Sequence, residues 1–186
     1  MAAREQILHA TIDLIGSEGI GAVSNRRVAA GAGVALGSLT YHFPDQSKLL
    51  QEALVLYAEE EVSRFAEIAA QLRARDAGTE DVVAEVQLAI AASAERKTAG
   101  VAELELHLHA SRNPELRDAS QRCFAAYDDF ATAALEALDV PEPARYARAV
   151  VALLTGMAVR RHGTGEQDVE TAAAALQAML RGALSA

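Results

Sequence analysis

One segment constrains the fold of this chain more than any other: residues 26–48, RRVAAGAGVALGSLTYHFPDQSK. Its apolar and small residues recur at the spacing that lets two short helices cross and pack against each other. Gly33 falls between these helices, where the chain must reach a positive φ that glycine adopts without steric cost. Another helix should begin just after Pro44, with Asp45 as its N-cap. The segment therefore predicts two short helices joined by a tight turn and followed by a longer helix.

The second short helix, from Ala35 to Tyr41, has an outward face without carboxylates. The residues of this face are Leu36, Gly37, Ser38, Thr40 and Tyr41. A helix of this kind fits the major groove of DNA, where hydroxyl and backbone N–H groups meet phosphates and base edges. The pattern alone does not decide for DNA, because any helical hairpin can contain a similar series of Ala, Gly and Val.

Two stretches within the first fifty residues carry a family resemblance: VAAGAGVALGSLTYHF followed by PDQSKLL, and AREQILHATIDLIGSEG at residues 3–19. Together they resemble the DNA-binding segment of TetR-family transcriptional regulators and the helix that precedes it. The remainder is similar to that family only in being helical, of suitable length and without a second motif. The resemblance implies an all-α fold with a three-helix, helix-turn-helix DNA-binding head at 1–48. A helical ligand-binding and dimerisation body would follow at 49–186.

The resemblance also implies which residues of the head contact DNA. Arg26 takes an early position of the second helix that reaches a base or a phosphate, and Ser38 takes the hydroxyl position of the recognition helix. Tyr41 and His42 fall at the end of that helix, where phosphates are held, although packing in or near the core is the alternative for both. Lys48 lies near a helix N-terminus that attracts phosphate. The expected DNA-binding residues are Arg26, Arg27, Leu36, Gly37, Ser38, Thr40, Tyr41, His42 and Lys48.

Three residues depart from the family pattern. Thr40 stands where a tyrosine is common, Gln46 where a lysine is common, and Leu36 where a polar base-reading residue is frequent. The resemblance therefore fixes neither the strength of phosphate anchoring nor the operator sequence.

Length, charge and cysteine content narrow the class of protein further. The 186 residues suit one domain, or a small domain attached to a larger one. The single Cys123 excludes an internal disulfide and a Cys-based zinc cluster, and it agrees with a reducing cytoplasm. No apolar run is long enough to span a bilayer, and the start MAAREQ lacks the apolar core of a signal peptide. A cytoplasmic protein without membrane contact is expected.

The charge distribution separates the head from the rest of the chain. Residues 1–50 contain four basic and four acidic side chains, so the net charge of −9 resides in the remaining residues. An acidic body would be repelled by DNA except through a neutral head. Charge alone favours an ordinary acidic protein that binds no nucleic acid, and only the motif argues otherwise.

Glycine and proline residues divide the remaining chain into helices, without strand-like alternation or internal repeats. The first helix of the chain should span residues 4–17 and end at Gly19, and Ser24 should cap the second helix. The predicted helices after the head span residues 46–75, 79–95, 99–111, 114–138, 143–163 and 169–184. These signals together predict an all-α protein.

The last two helices each carry a stripe of small and aliphatic residues. The stripes are Ala149, Val150, Leu153, Leu154 and Met157, and Ala173, Leu176, Met179, Leu180 and Leu184. Such faces can pack against copies of themselves as a four-helix bundle, and the core of a monomer is the alternative. The family resemblance implies a homodimer through these two helices.

The segment VAELELHLHAS, from Val101, is the one metal-like arrangement. Its Glu103–His107 and Glu105–His109 pairs have i,i+4 spacing, but they point in directions roughly 200° apart. They cannot close one site together, so surface Glu–His pairing is favoured over a metal site, and no metal or cofactor is expected. One pair is predicted to face the interior as part of a ligand pocket. The candidate ligand-binding residues are Phe65, Ile90, Glu103, Leu104, His107, Leu108, Phe124, Tyr127 and Met157. Core packing is the alternative for the apolar ones.

Catalysis has no support in the sequence. No nucleophile elbow is present, and GAGVALG at 31–37 follows no strand, so it fails as a dinucleotide fingerprint. The leading hypothesis is a homodimeric repressor that binds double-stranded operator DNA and is released by a small-molecule effector. A DNA-binding regulator controlled by a protein partner, with a filled core, is the alternative. A helical small-molecule-binding protein without DNA is the third.

Overall fold

The structure, a computed structural model, describes residues 2–74, 84, 96–166 and 169–184. Eight α-helices lie within these residues, and a turn of 3₁₀-helix at Ile20–Ala22 follows the first. They are α1 Ala3–Glu18, α2 Asn25–Gly31, α3 Leu36–His42, α4 Gln46–Ala74, α5 Lys97–Ala110, α6 Pro114–Glu136, α7 Pro143–Thr164 and α8 Val169–Leu184. The all-α class and the N-terminal helix-turn-helix are confirmed. The helix expected at 79–95 falls outside the described residues, apart from residue 84.

The local signals that divide the head act as predicted. Ser24 caps α2, since its hydroxyl accepts a hydrogen bond from the Arg27 backbone N–H at 3.4 Å. Gly33 has φ +66°, and the Val34 N–H beyond it donates to the Ala29 carbonyl at 3.0 Å, which closes the turn between α2 and α3. Asp45 caps α4 by accepting a hydrogen bond from the Lys48 N–H at 2.7 Å.

The chain divides into two compact units, and the division runs through α4 and α6. The first unit contains residues 1–59 and 96–123, and the second contains residues 60–95 and 124–186. In the first unit, the core of the head is formed by apolar side chains from α1 to α4. These include Ile7, Leu8, Ile12, Ile15, Val28, Leu39, Phe43, Leu49 and Leu54. Because Leu39 and Phe43 point into this core, the opposite face of α3 faces solvent.

Helix α5 packs closely against α1 in the first unit. The closest approach is at Gly16, where an added Cβ would lie 1.8 Å from the Thr98 carbonyl oxygen. No side chain fits there, so glycine is required for the two backbones to come this close.

Cys123, on α6 in the same unit, is buried, and its Sγ donates to the Leu54 carbonyl oxygen at 3.4 Å. Burial, with a smaller contribution from the charge of Glu103, raises the pKa of this thiol to about 12. Because the thiolate is the reactive form, this cysteine is a packing residue and not a nucleophile.

The second unit has its own core, formed mainly by the end of α6 with α7 and α8. Its buried residues are Ala131, Leu135, Val140, Ala147, Val150, Ala173, Leu176, Leu180 and Ala183. Val150, Ala173, Leu176 and Leu180 were expected at a dimer interface, and in this structure they are buried within one chain instead. Consecutive helices are usually adjacent in space, and here the apolar faces of α7 and α8 are buried in one core of the same chain. None of the helices in the described residues combines the length and apolar character needed to cross a membrane.

Gly16→Ala tests the contact between α1 and α5. The new methyl group has no space beside Thr98, so we expect the free energy of unfolding to fall by about 1–3 kcal/mol in urea titrations. Gly21→Ala is the matched control, because an added Cβ at Gly21 meets nothing within 4 Å. Equal stability of the two variants would contradict the close packing of these helices.

Candidate nucleic-acid interface

The exposed face of α3 is the first component of the site. Gly37 and Thr40 are exposed, Leu36 is 49% exposed, and Ser38 is half-buried. Leu39 has no exposed surface, and it anchors this short helix to the core. The face is therefore uncharged, and it is narrow enough to approach a groove of DNA.

Tyr41 and His42 follow on the same helix. Tyr41 is 85% exposed, which excludes the alternative that it packs in the core. His42 is half-buried, and its ring centroid lies 5.2 Å from that of Tyr41, edge-on. The Thr40 hydroxyl donates within the helix, toward the carbonyl oxygens of Gly37 at 3.1 Å and Leu36 at 3.3 Å. Its oxygen lone pairs are therefore left to accept hydrogen bonds from groups outside the helix.

The cations of the head are in unequal environments. Arg26 is exposed on the first turn of α2 and forms no ion pair with any residue that the structure describes. Arg27, the next residue, pairs with Glu18. Lys48 Nζ lies 3.2 Å from Glu52 Oε1, and Arg4 binds the other oxygen of the same carboxylate. Arg26 is thus the cation most readily available to a phosphate or a base.

The start of α4 is less open to phosphate than its sequence suggested. The Asp45 carboxylate already accepts from the Lys48 N–H, so this backbone donor is occupied. Gln46, where the family often has lysine, donates from Nε2 to the Val23 carbonyl oxygen at 3.2 Å. Gln46 therefore holds α4 against the loop before α2.

Glu105 was assigned to a surface pair with His109, and its contact with the head was missed. Its Oε2 accepts a hydrogen bond from the Ile20 N–H at 2.6 Å, across 85 residues of sequence. Ile20 lies in the turn between α1 and α2, so this carboxylate of α5 helps to fix where the helix-turn-helix begins. A lone glutamate gives no sequence signal for a backbone partner that distant.

The other Glu–His pair of α5 lies against α6 within the first unit. His107 Nδ1 lies 2.7 Å from Ser120 Oγ, and His107 Nε2 lies 3.6 Å from Glu103 Oε1. The His107 side chain is 12% exposed and that of Glu103 18%. Leu104 is half-buried. Leu108 is 67% exposed, so its assignment to the wall of an interior pocket is wrong: it lies on the outer side of α5.

The remaining candidate ligand-binding residues either belong to the second unit or lie outside the residues that the structure describes. Phe124, Tyr127 and Met157 are each half-buried in that unit. The side chain of Phe65 and the whole of Ile90 fall outside the described residues. Within the described part of the chain, no three His, Cys, Asp or Glu side chains are grouped so as to hold a metal ion.

The chain matches two family models that together span most of its length. Residues 7–53 match the model described as bacterial regulatory proteins, tetR family, which spans the head from α1 into α4. Residues 77–186 match the model described as Tetracyclin repressor-like, C-terminal domain. The chain belongs to the TetR family. It is therefore a DNA-binding transcriptional regulator and not an enzyme.

Several solved structures are similar to this chain over nearly its whole length. The multidrug binding protein EbrR, complexed with ethidium, is 30% identical, with 96% of this chain and 98% of that chain covered and a TM-score of 0.75. A TetR-family member from Streptomyces coelicolor A3, SCO1917, is 31% identical, with 96% and 98% covered and a TM-score of 0.77. Further structures of EbrR contain imidazole, malachite green or proflavin. No curated protein sequence matches this chain.

Arg26→Ala and Tyr41→Ala test the assignment of the interface. Each should weaken binding to the preferred operator, and Arg26→Ala should cost about 1–3 kcal/mol if the guanidinium binds a base edge in bidentate fashion. Affinity is measured by fluorescence anisotropy, and circular dichroism checks that the helices are intact. Arg145→Ala, which removes an exposed arginine from the second unit, serves as the control. Unchanged affinity in both head variants would remove these residues from the interface.

Proposed function

We propose that this TetR-family regulator is a homodimeric repressor that a small-molecule ligand releases from its operator. The proposal rests on one observation: α3 exposes a face without carboxylates, while Leu39 of the same helix is buried in the core. In each subunit this helix would enter the major groove, with Arg26 and Tyr41 beside it and Lys48 on the phosphates. Such a protein would work in the cytoplasm, with 1–48 as its DNA-binding part and 49–186 as its ligand-binding and dimerisation part.

Dimerisation is supported by an exposed stripe on α7, which includes Ala149 of the predicted stripe and lies apart from the buried Val150. Ala149, Ala152, Gly156 and Val159 are all exposed, at spacings of three and four residues that place them on one face. Helix α8 likewise exposes Ala174, Ala178 and Gly182. Small residues let two helices approach closely, so these stripes suit a four-helix bundle between two copies. A short recognition helix needs such a partner to reach two half-sites about 34–36 Å apart.

Val159→Glu tests this interface. Val159 is 52% exposed in the single chain, so a carboxylate there should leave each chain folded but become buried without a partner between two copies. We expect wild-type protein to have twice the chain mass of 19.6 kDa, and Val159→Glu to be monomeric by sedimentation with operator binding lost. Ala133→Glu adds the same charge at an exposed position of α6 and should remain dimeric. If the Val159→Glu variant stayed dimeric, the dimer interface would have to lie elsewhere on the chain.

Ligand control is supported by the EbrR structures and by the side chains of α5. Ethidium, malachite green and proflavin, which EbrR binds, are aromatic dyes that carry positive charge. In this chain Glu103 provides a largely buried carboxylate beside His107, whose other ring nitrogen contacts Ser120, and this carboxylate is the group we expect to face a cation of that kind. We therefore propose cationic aromatic compounds as the first ligand class to test.

The packing of α5 suggests how a ligand would act on the head. One side of α5 contacts α1 at Gly16 and holds Ile20 through Glu105, while Glu103 and His107 lie on a different side. A ligand that prefers a shifted position of α5 would therefore shift the head, and the long helix α4 would carry the same movement. The population with the operator spacing would fall, and DNA affinity would fall with it.

Leu104→Gln and Leu108→Gln form a matched pair on α5 that tests the ligand site. Leu104 is half-buried and Leu108 is exposed, so only the first substitution should reduce binding of ethidium to the protein, measured by fluorescence without DNA. Leu104→Gln should disturb release from the operator by malachite green more than operator affinity itself. Operator alone with the dye is the control for direct binding to DNA. Equal loss of ligand and operator binding would indicate a folding defect, and unchanged ethidium binding would reject this position.

A further inference from the structure

One carboxylate in the head holds two cations at once. Glu52, on the second turn of α4, binds Arg4 from the start of α1 through Oε2, and its Oε1 lies 3.2 Å from Lys48 Nζ. The Glu52 side chain is only 19% exposed, whereas those of Arg4 and Lys48 are about half exposed. The carboxylate is therefore enclosed by its partners, and the cations are the groups that meet solvent.

A second contact places Arg4 beside the recognition helix. Its guanidinium carbon lies 5.9 Å from the ring centroid of Phe43, the buried residue that directly follows α3. Cation–π contact with this ring holds the guanidinium at the α3–α4 junction independently of Glu52. Arg4 and Lys48 thus converge on one edge of the head, although they come from different helices.

We propose that Arg4 is a phosphate-binding residue of the DNA interface and that Glu52 limits its strength together with that of Lys48. The inference rests on the proposed function of the head. Two positive charges around one negative charge leave a net charge of +1 at this edge in each subunit. Phosphates of DNA must compete with Glu52 for both cations, so the edge attracts DNA as one cation would.

The consequence is largest for DNA that lacks the operator. Binding to such DNA consists almost entirely of phosphate contacts, and each neutralised phosphate adds about 0.9 to the slope of log K against log salt. An ion pair is weak where its cations are about half exposed to solvent, as Arg4 and Lys48 are, so a phosphate fixed in place by specific base contacts can displace Glu52. On DNA without the operator, no base contacts fix a phosphate in this way, so Glu52 stays paired with Arg4 and Lys48. Glu52 therefore keeps affinity for random DNA low.

Glu52→Gln tests the proposal, because glutamine keeps the shape of the side chain and removes the charge. With one more net cation per subunit, the salt slope for a non-operator duplex should steepen by up to about 2 per dimer, and its affinity near 0.1 M salt, relative to that at 1 M, should rise by up to about sixtyfold. Arg4→Gln combined with Glu52→Gln returns the net charge to +1, so the double variant should return to the wild-type slope.

Glu67→Gln is the matched control. It removes the same charge from an exposed position of the same helix, fifteen residues farther along. It should leave the slope for non-operator DNA at the wild-type value, and thermal melts should show all variants folded.

Three results would overturn the inference. The first is an unchanged slope in Glu52→Gln, and the second is a change of equal size in Glu67→Gln. The third is weaker binding in Glu52→Gln, which would mean that the carboxylate positions the cations and does not restrain them. A wild-type protein that selects no operator from a random duplex pool would instead count against the proposed function, which separates the two failures.

Discussion

The contact between α1 and α5 is the constraint on which the first unit depends. At Gly16 the two backbones touch, because the Thr98 carbonyl oxygen occupies the space that a side chain would need. Glu105 adds a hydrogen bond to Ile20, in the turn that leads to α2. The helix-turn-helix is therefore fastened to α5 by a steric contact and a charged acceptor, and neither leaves room for small adjustments. Packed elements of this kind shift as units, which is what coupling between a ligand and a DNA-binding head requires.

Packing fixes the position of the head, and its charges limit how strongly it attracts DNA. In a chain of net charge −9, the charges of the first fifty residues cancel, and the structure gives Arg4, Arg27 and Lys48 carboxylate partners. We therefore expect weak attraction to the phosphate backbone. Recognition would then depend on hydroxyl groups, backbone N–H groups and groove shape, which are short-range and sensitive to sequence. A regulator built in this way would spend little of its time on random DNA.

The parts of this structure that sequence predicts are those governed by near neighbours. Gly33, Ser24 and Asp45 each act within about four residues, and the helix bounds derived from such signals agree closely with those observed. Ile20, the partner of Glu105, and Arg4, one of the two partners of Glu52, lie 85 and 48 residues away from them, and no local pattern encodes these two contacts. Hydropathy also misplaced Leu108, since apolar character does not say which side of a helix is covered. For the last two helices the stripes were visible, but whether a stripe meets its own chain or a second copy depends on tertiary packing.

The salt dependence of operator binding tests the central claim most directly, namely that a nearly neutral head holds DNA through few cations. Affinity of wild-type protein for its selected operator is measured by anisotropy over a range of salt concentrations. With about two to four cationic contacts per dimer, log K against log salt should have a slope of about −2 to −4. A slope steeper than about −7 would contradict the account, because it would require many more phosphate contacts than the head provides.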